Sequence, residues 1–236
     1  MQAIILAGGL GTRLRPLVND VPKSMAVVGG RPFIEHLLLQ LQRNEFQNVV
    51  ICAGHRAEQL DTLGDGAQFG LTLQRSTENQ PLGTAGAIKL AEPLLSGDRW
   101  LVMNGDSFFD IPIQALVDRH QSVHAHATIA LVGVDDGSRY GSVELDEDGA
   151  VRSFVEKGTT HGAALINAGL YVLERAVLDM IPDGSAVSLE REVLPTLIGR
   201  GLYGAEFDGF FIDIGVPADY ERAQHSPALG GRAPEA

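Results

Sequence analysis

Short apolar runs alternate with segments of helical period through the first half of the chain. "AIILA" (3–7), "NVVICAG" (48–54), "LTLQRS" (71–76) and "RWLVMNGD" (99–106) read as strands. "FIEHLLLQLQRN" (33–44), "RAEQLDTLGDG" (56–66) and "TAGAIKLAEPLL" (84–95) read as the helices between them. A βαβα order predicts an α/β fold with a mostly parallel sheet flanked by helices, and such sheets gather ligands outside the carboxyl ends of their strands. "GGLGTRLR" (8–15) and "NGD" (104–106) fall at two of those ends. After about residue 123 the pattern becomes strand-rich, with "AHATIALVGV" (125–134), a hairpin over 141–157 turning at Asp148-Gly149, and "AALINAGLYVL" (163–173). Helical segments return at "LEREVLPTLI" (189–198), followed by a strand at "GFFIDIG" (209–215) and a short helix from Pro217. The predicted organisation is one domain over residues 1–223, with a second lobe from about 123 on the same sheet. A loose tail is expected over 224–236, where proline, glycine and alanine recur without period.

Composition narrows the partners. Of 236 residues, 44% are hydrophobic, enough for a sizeable core. The formal charge of −12 argues against nucleic acid and anionic membrane, because both need an extended basic surface. Any anion must therefore bind a local cluster of positive groups. The one cysteine, Cys52, rules out an internal disulfide framework and a multi-thiolate metal site, and its apolar strand predicts a buried core residue. No run of about 18 apolar residues predicts a membrane span, and the opening has no basic leader, so a cytoplasmic location is the expectation. His124 and His126 share a strand face but lack an assured third ligand, which predicts surface or cleft residues. No Ser-His-Asp arrangement is visible. Homo-oligomerisation is left open.

The glycine-rich turn after the first strand lets backbone N–H groups converge on an anion, and Thr12 adds a hydroxyl donor. Arg13 and Arg15 can bind phosphate oxygens in pairs, and Lys23 follows shortly as a further positive group. The stretch is neither a P-loop nor a full GxGxxG fingerprint, and a glycine turn with solvated arginines is the bland alternative. Asp106 and Asp213 each end an apolar strand, so both carboxylates are expected at the sheet edge carrying the glycine loop. Together with triphosphate oxygens they suit Mg²⁺, an oxygen-seeking cation, although either alone also reads as a cap or turn acid. Asp110 is an alternative acid that reads better as a turn residue.

"AIILAGGLGTRLRPL", "PKSM", "PLGTAGAI", "NGD", "RYGSV", "FVEK", "NAGLYVL" and "FIDIGVPADY" occur in the order found in the sugar-1-phosphate nucleotidylyltransferases, which the chain resembles over about residues 1–223. Within that family it is most similar to bacterial D-glycero-α-D-manno-heptose 1-phosphate guanylyltransferases. The resemblance implies a Rossmann-like mixed sheet, the nucleotide-diphospho-sugar transferase fold, and reaction of a nucleoside triphosphate with a sugar 1-phosphate to give an NDP-sugar and pyrophosphate. It implies that residues 1–122 bind nucleotide and 123–223 bind sugar phosphate. Leu6, Ala7, Gly8, Gly9, Gly11, Thr12, Arg13, Lys23, Glu78, Pro81, Gly83, Thr84, Asn104 and Gly105 fall on its nucleotide-binding motifs.

The same resemblance assigns Asp106 and Asp213 to Mg²⁺, and it gives Arg13, Lys23 and Lys157 catalytic charge roles. Gly141, Glu156, Lys157 and Asn167 match sugar-phosphate positions, with turn and strand-end readings open for Gly141 and Asn167. The family loop before "PLGTAGA" lies against the base. A carboxylate there, Glu78, can accept from both N1–H and the exocyclic amine of guanine, which points to GTP unless Glu78 is only a solvated loop acid. Mannose 1-phosphate with GTP, or glucose 1-phosphate with UTP or dTTP, keeps the same chemistry. A non-catalytic nucleotide-sugar sensor and a dinucleotide-dependent oxidoreductase fit less well. Because the chain ends soon after the last motif, a second activity is not expected.

Overall fold

The structure is a computed structural model and describes residues 1–9, Leu14, Val18, 21–155 and 162–231. In chain order its strands and helices are β1 (Gln2–Ala7), β2 (Val27–Val28), β3 (Arg31–Pro32), α1 (Phe33–Arg43), β4 (Asn48–Ala53), β5 (Thr72–Thr77), α2 (Gly83–Leu90), β6 (Arg99–Asn104) and β7 (Ser107–Phe109). They continue with α3 (Ile113–Ser122), β8 (Ala127–Val134), β9 (Ser142–Leu145), β10 (Val151–Val155), β11 (Ala164–Glu174), α4 (Arg175–Asp179), β12 (Leu202–Glu206), β13 (Phe211–Asp213) and α5 (Pro217–Gln224).

Among the described residues one nine-stranded sheet runs β10-β9-β11-β6-β1-β4-β5, with β8 on β11 and β12 on β8. The quartet β6-β1-β4-β5 is all parallel, as the alternation of runs predicts. The central strand β1 is buried on both faces, which is why it reads as an unbroken apolar run. Ala3, Ile5 and Ala7 join the cluster under α1 and α3, while Ile4 joins the opposite cluster under α2, α4 and residues 189–197. Each large aliphatic side chain so buried contributes about 1.5–3 kcal/mol. The second half makes the sheet mixed, because β11 lies antiparallel between β6 and β8.

Three expectations change on contact with the structure. Residues 57–63 form 3-10 turns rather than an α-helix: Leu60 and Leu63, three apart, are the buried pair, and Gly64 and Gly66 follow at φ +58° and +87°. The "GFFIDIG" strand does not extend the sheet but pairs with β7 in a separate antiparallel ribbon, with Asp213 opposite Ser107. The segment expected to be loose from 224 is packed as far as Gly231. Gln224 Nε2 donates to Val27 O at 2.5 Å, the turn 227–229 closes over Gly29, and Leu229 is 1% exposed in the core. Residues 232–236 lie outside the described residues.

Cys52 is buried, and desolvation pushes its thiol up to about 12, so it is an inert core group at neutral pH. Among the described residues no helix is long and apolar enough to cross a membrane. His124 ends the turn after α3 at φ +50°, and no group of three or more His, Cys, Asp and Glu among the described residues is arranged to hold a metal.

Fully buried His120 ties α3 to the sheet. Its Nε2 donates to Glu174 Oε1 at 3.0 Å and its Nδ1 faces Thr128 Oγ1 at 2.9 Å, which makes it the neutral Nε2–H tautomer accepting from threonine. Burial lowers its affinity for a proton below the ordinary 6.5, outweighing the hydrogen bond and charge of Glu174, with Arg99 and His126 adding to the lowering. His36, buried against Val28 O, shifts the same way. Below about pH 6.5 the unfolded chain therefore takes up protons that the folded chain refuses. Stability is complete above that value and falls with acidification, by up to about 1.4 kcal/mol per pH unit for each histidine until it titrates in the folded state. Urea denaturation between pH 7.5 and 5 is expected to show this loss, and His120→Gln is expected to reduce its slope to the share belonging to His36.

Candidate active site

Because β1, β4, β5 and β6 are parallel, their carboxyl ends open on one edge, and each is followed by a residue of interest. These are Gly8 and Gly9 after β1, Gly54 after β4, Glu78 after β5, and Gly105 and Asp106 after β6. Glu78 continues the ladder, its N–H donating to Ala53 O at 3.0 Å. Its carboxylate turns back between two glycines: a Cβ on Gly8 would lie 2.9 Å from Glu78 Oε1, and one on Gly54 only 2.6 Å away. Glycine at these positions makes room for the acid. Glu78 is half-buried, and its Oε2 accepts from Leu82 N at 3.0 Å. Desolvation raises its carboxyl above the ordinary range, against the lowering by the Leu82 N–H.

Asp106 sits in the tight step from β6 to β7, with its carbonyl accepting from Ile214 N at 2.9 Å. The β7–β13 ribbon thus brings the ends of two strands about a hundred residues apart to one place. Lys23 arrives from a third direction, on the 3-10 turn Lys23–Met25, which buried Ser24 and Met25 anchor. Its Nζ lies 2.6 Å from Asp106 Oδ2 and 3.5 Å from Asp213 Oδ1, with the lysine side chain 10% exposed and the two aspartates 37% and 34%. Asp213 Oδ1 also accepts from Gly215 N at 2.6 Å. Three of the residues expected at the phosphates are therefore in contact. Asp110 lies beyond the ribbon, exposed, its N–H spent on Phe210 O.

Beside this trio lies a cleft of about 1270 Å³ lined by Asn104, Asp106, Gly141, Asn167 and Asp213, so residues expected on both substrates share one cavity. Gly169, at φ +75°, kinks β11 where its register with β8 shifts, and Asn167 spans the kink: its Oδ1 accepts from Gly169 N and its Nδ2 donates to Tyr171 OH, both at 2.9 Å. Tyr171 OH in turn donates to Glu190 Oε1 at 3.2 Å, and Glu190 Oε2 accepts from Thr84 Oγ1 at 2.7 Å. Sequence reasoning missed Tyr171 and Glu190. Tyr171 lies on the same strand and face as Asn167, a signal within reach, but Glu190 carries no local signal.

Several expected nucleotide-binding groups spend their polar atoms inside the protein. Thr84 donates to Glu190 and accepts from Leu189 N, Gly105 N donates to Leu6 O at 2.9 Å, and Gly83, at φ +69°, lies against Val187 O. Pro81 is exposed at the loop before α2, and the buried Asn104 Oδ1 has no hydrogen-bond partner among the described residues. Ala7 and Gly9 border the glycine turn. Gly11, Thr12, Arg13, Glu156 and Lys157 lie outside the described residues.

A mixed α/β sheet whose parallel strands bring an acid pair, a lysine and a wide cleft to their carboxyl edge has the form of an α/β ligand-binding crevice. Comparison with known proteins gives the family. The nucleotidyl transferase family model matches residues 2–228, and the chain belongs to that family as a sugar-1-phosphate nucleotidyltransferase. It is 38% identical to a mannose-1-phosphate guanylyltransferase of Mycobacterium tuberculosis, over all of this chain and 69% of that protein. It is 35% identical to a D-glycero-alpha-D-manno-heptose 1-phosphate guanylyltransferase of Aneurinibacillus thermoaerophilus, over 95% of this chain and 97% of the relative. Among solved structures, HddC from Yersinia pseudotuberculosis complexed with GMP-PN superimposes with a TM-score of 0.84 at 33% identity, covering 95% of this chain and 98% of that one. The fold is thus the nucleotide-diphospho-sugar transferase fold.

Proposed function

We propose that the chain transfers a guanylyl group from GTP to D-glycero-α-D-manno-heptose 1-phosphate, releasing pyrophosphate, with Mg²⁺ as cofactor. The observation that carries the reading is the contact of Lys23 with both Asp106 and Asp213, two residues that line the shared cleft. Two carboxylates from distant segments already converge on one positive charge there, so the donor set fits a divalent cation held together with triphosphate oxygens. When bound, the cation neutralises charge that accumulates on the phosphates.

In this reaction an oxygen of the sugar phosphate forms a bond to the α-phosphorus, and the bond from that phosphorus to the pyrophosphate oxygen breaks. The acceptor phosphate is already ionised near neutral pH, so no residue has to act as a base. The protein's work is placement and charge. Asp106 and Asp213 hold the cation. Lys23 and, outside the described residues, Arg13 stabilise the triphosphate. Glu78, in its ionised form, accepts from the N1–H and amine of guanine. Gly141 and Asn167 border the sugar, with Glu156 and Lys157 at its hydroxyls and phosphate.

GTP is favoured by Glu78 and by the guanylyltransferase names of the relatives; heptose is favoured by the relative matched over almost its whole length. Mannose 1-phosphate is the second reading, supported by the 38% identity to a mannose-1-phosphate guanylyltransferase. The two sugars share ring stereochemistry and differ at the terminal carbon. The test is pyrophosphate release from GTP, UTP and dTTP against heptose, mannose and glucose 1-phosphates, with and without Mg²⁺. GTP with heptose 1-phosphate is expected to give the highest kcat/KM, and only with metal. Equal or better turnover of mannose 1-phosphate would replace the sugar, and preference for a pyrimidine nucleotide would replace the base.

A further inference from the structure

The ammonium of Lys23 stands in the space between the two carboxylates that the proposed reaction gives to a divalent cation. We infer that Lys23 is the cation's placeholder. In the nucleotide-free enzyme it holds the aspartates together and keeps divalent metal out, releasing them when a triphosphate offers its ammonium other oxygens. This rests on the reading of Asp106 and Asp213 as the metal pair.

Charge and geometry both support it. With Lys23 in place the trio carries one net negative charge; without it, two, packed into a few ångströms. A small, strongly hydrated dication dehydrates reluctantly and commonly relies on substrate phosphates to complete its site. It gains little from a carboxylate pair already neutralised in part by an ammonium. The space around Nζ is fitted to its occupant. A Cβ on Gly215 would lie 2.9 Å from Nζ and 2.7 Å from Asp213 Oδ1, so glycine is what allows lysine and aspartate to meet. The backbone of residue 23 is anchored by buried Ser24 and Met25, so a move of the charge falls to the rotatable bonds of its four-carbon stem, which is 10% exposed in the ion-paired arrangement. Metal and nucleotide consequently enter as a coupled pair, each raising the affinity for the other, and the lysine returns when pyrophosphate and metal leave.

The test is Mn²⁺ binding without nucleotide, read by the electron paramagnetic resonance of the free ion. The proteins compared are the wild type, Lys23→Gln and Lys23→Ala, each also combined with Asp106→Asn, with folding checked by Trp100 fluorescence. Both lysine variants are expected to bind Mn²⁺ at least tenfold more tightly than the wild type, and Asp106→Asn to remove the gain. If neither variant binds more tightly, the placeholder is wrong. A parallel titration with a non-hydrolysable GTP analogue keeps the two readings apart. There, Asp106→Asn weakens Mn²⁺ uptake if the pair is a metal site; if uptake is unchanged, the metal reading itself fails and takes the placeholder with it.

Discussion

Asp106→Asn is expected to lower kcat by about 100-fold or more while leaving the fold intact. The substitution preserves shape but removes one of the two anionic charges that meet Lys23, and with it half of the carboxylate pair proposed to hold the cation. Asp106 is 37% exposed at a strand end, so its ion pair contributes at most about 1 kcal/mol to stability. The backbone bond from Ile214 N to Asp106 O is kept, so the ribbon carrying Asp213 stays in place. Steady-state turnover and urea denaturation measured together check both halves. A variant that loses activity only in proportion to folded protein would make Asp106 a structural residue.

Glu78→Gln is expected to cut kcat/KM with GTP by about 10- to 100-fold and to affect UTP much less. A carboxylate accepts from both guanine donors at once. An amide offers one acceptor and points an N–H at the other donor. The half-buried setting between Gly8 and Gly54 raises the stakes, since an unmatched polar pair there is poorly rescued by water. The raised carboxyl pKa adds a pH signature with a definite sign. As pH falls toward it, Glu78 takes up a proton sooner than an ordinary glutamate, and GTP use declines before UTP use does. Equal losses with both nucleotides would reject the base-reading role.

What the sequence made legible follows from what is local. β1, β4 and β6 are buried on both faces and so announce themselves as apolar runs, and parallel pairing then puts the residues after them on one edge. That is enough to bring Asp106 and the glycine turn to one edge, whereas Glu78 is picked out only by the family resemblance of its loop, since β5 is largely exposed and carries no such run. The β7–β13 ribbon was not legible, because three-residue strands have no period of their own and are defined by pairing across about a hundred residues. The contact of Lys23 with both aspartates depends on that ribbon, and the bridge from Thr84 through Glu190 to Tyr171 joins segments that share no motif. The 3-10 turns over 57–63 read as an α-helix in the sequence because a spacing of three between Leu60 and Leu63 satisfies either period. Composition likewise marks 224–236 as loose, although the described part is fastened by Gln224 hydrogen bonds to Val27 and Gly29 and by buried Leu229.

Crystals grown with Mn²⁺ and a non-hydrolysable GTP analogue give the most direct test, through the anomalous signal of the ion. The account predicts one peak bonded to carboxylate oxygens of both Asp106 and Asp213 and to a phosphate oxygen, with guanine against Glu78. An ion bound elsewhere, or a nucleotide whose phosphates lie away from residues 23, 106 and 213, would contradict it.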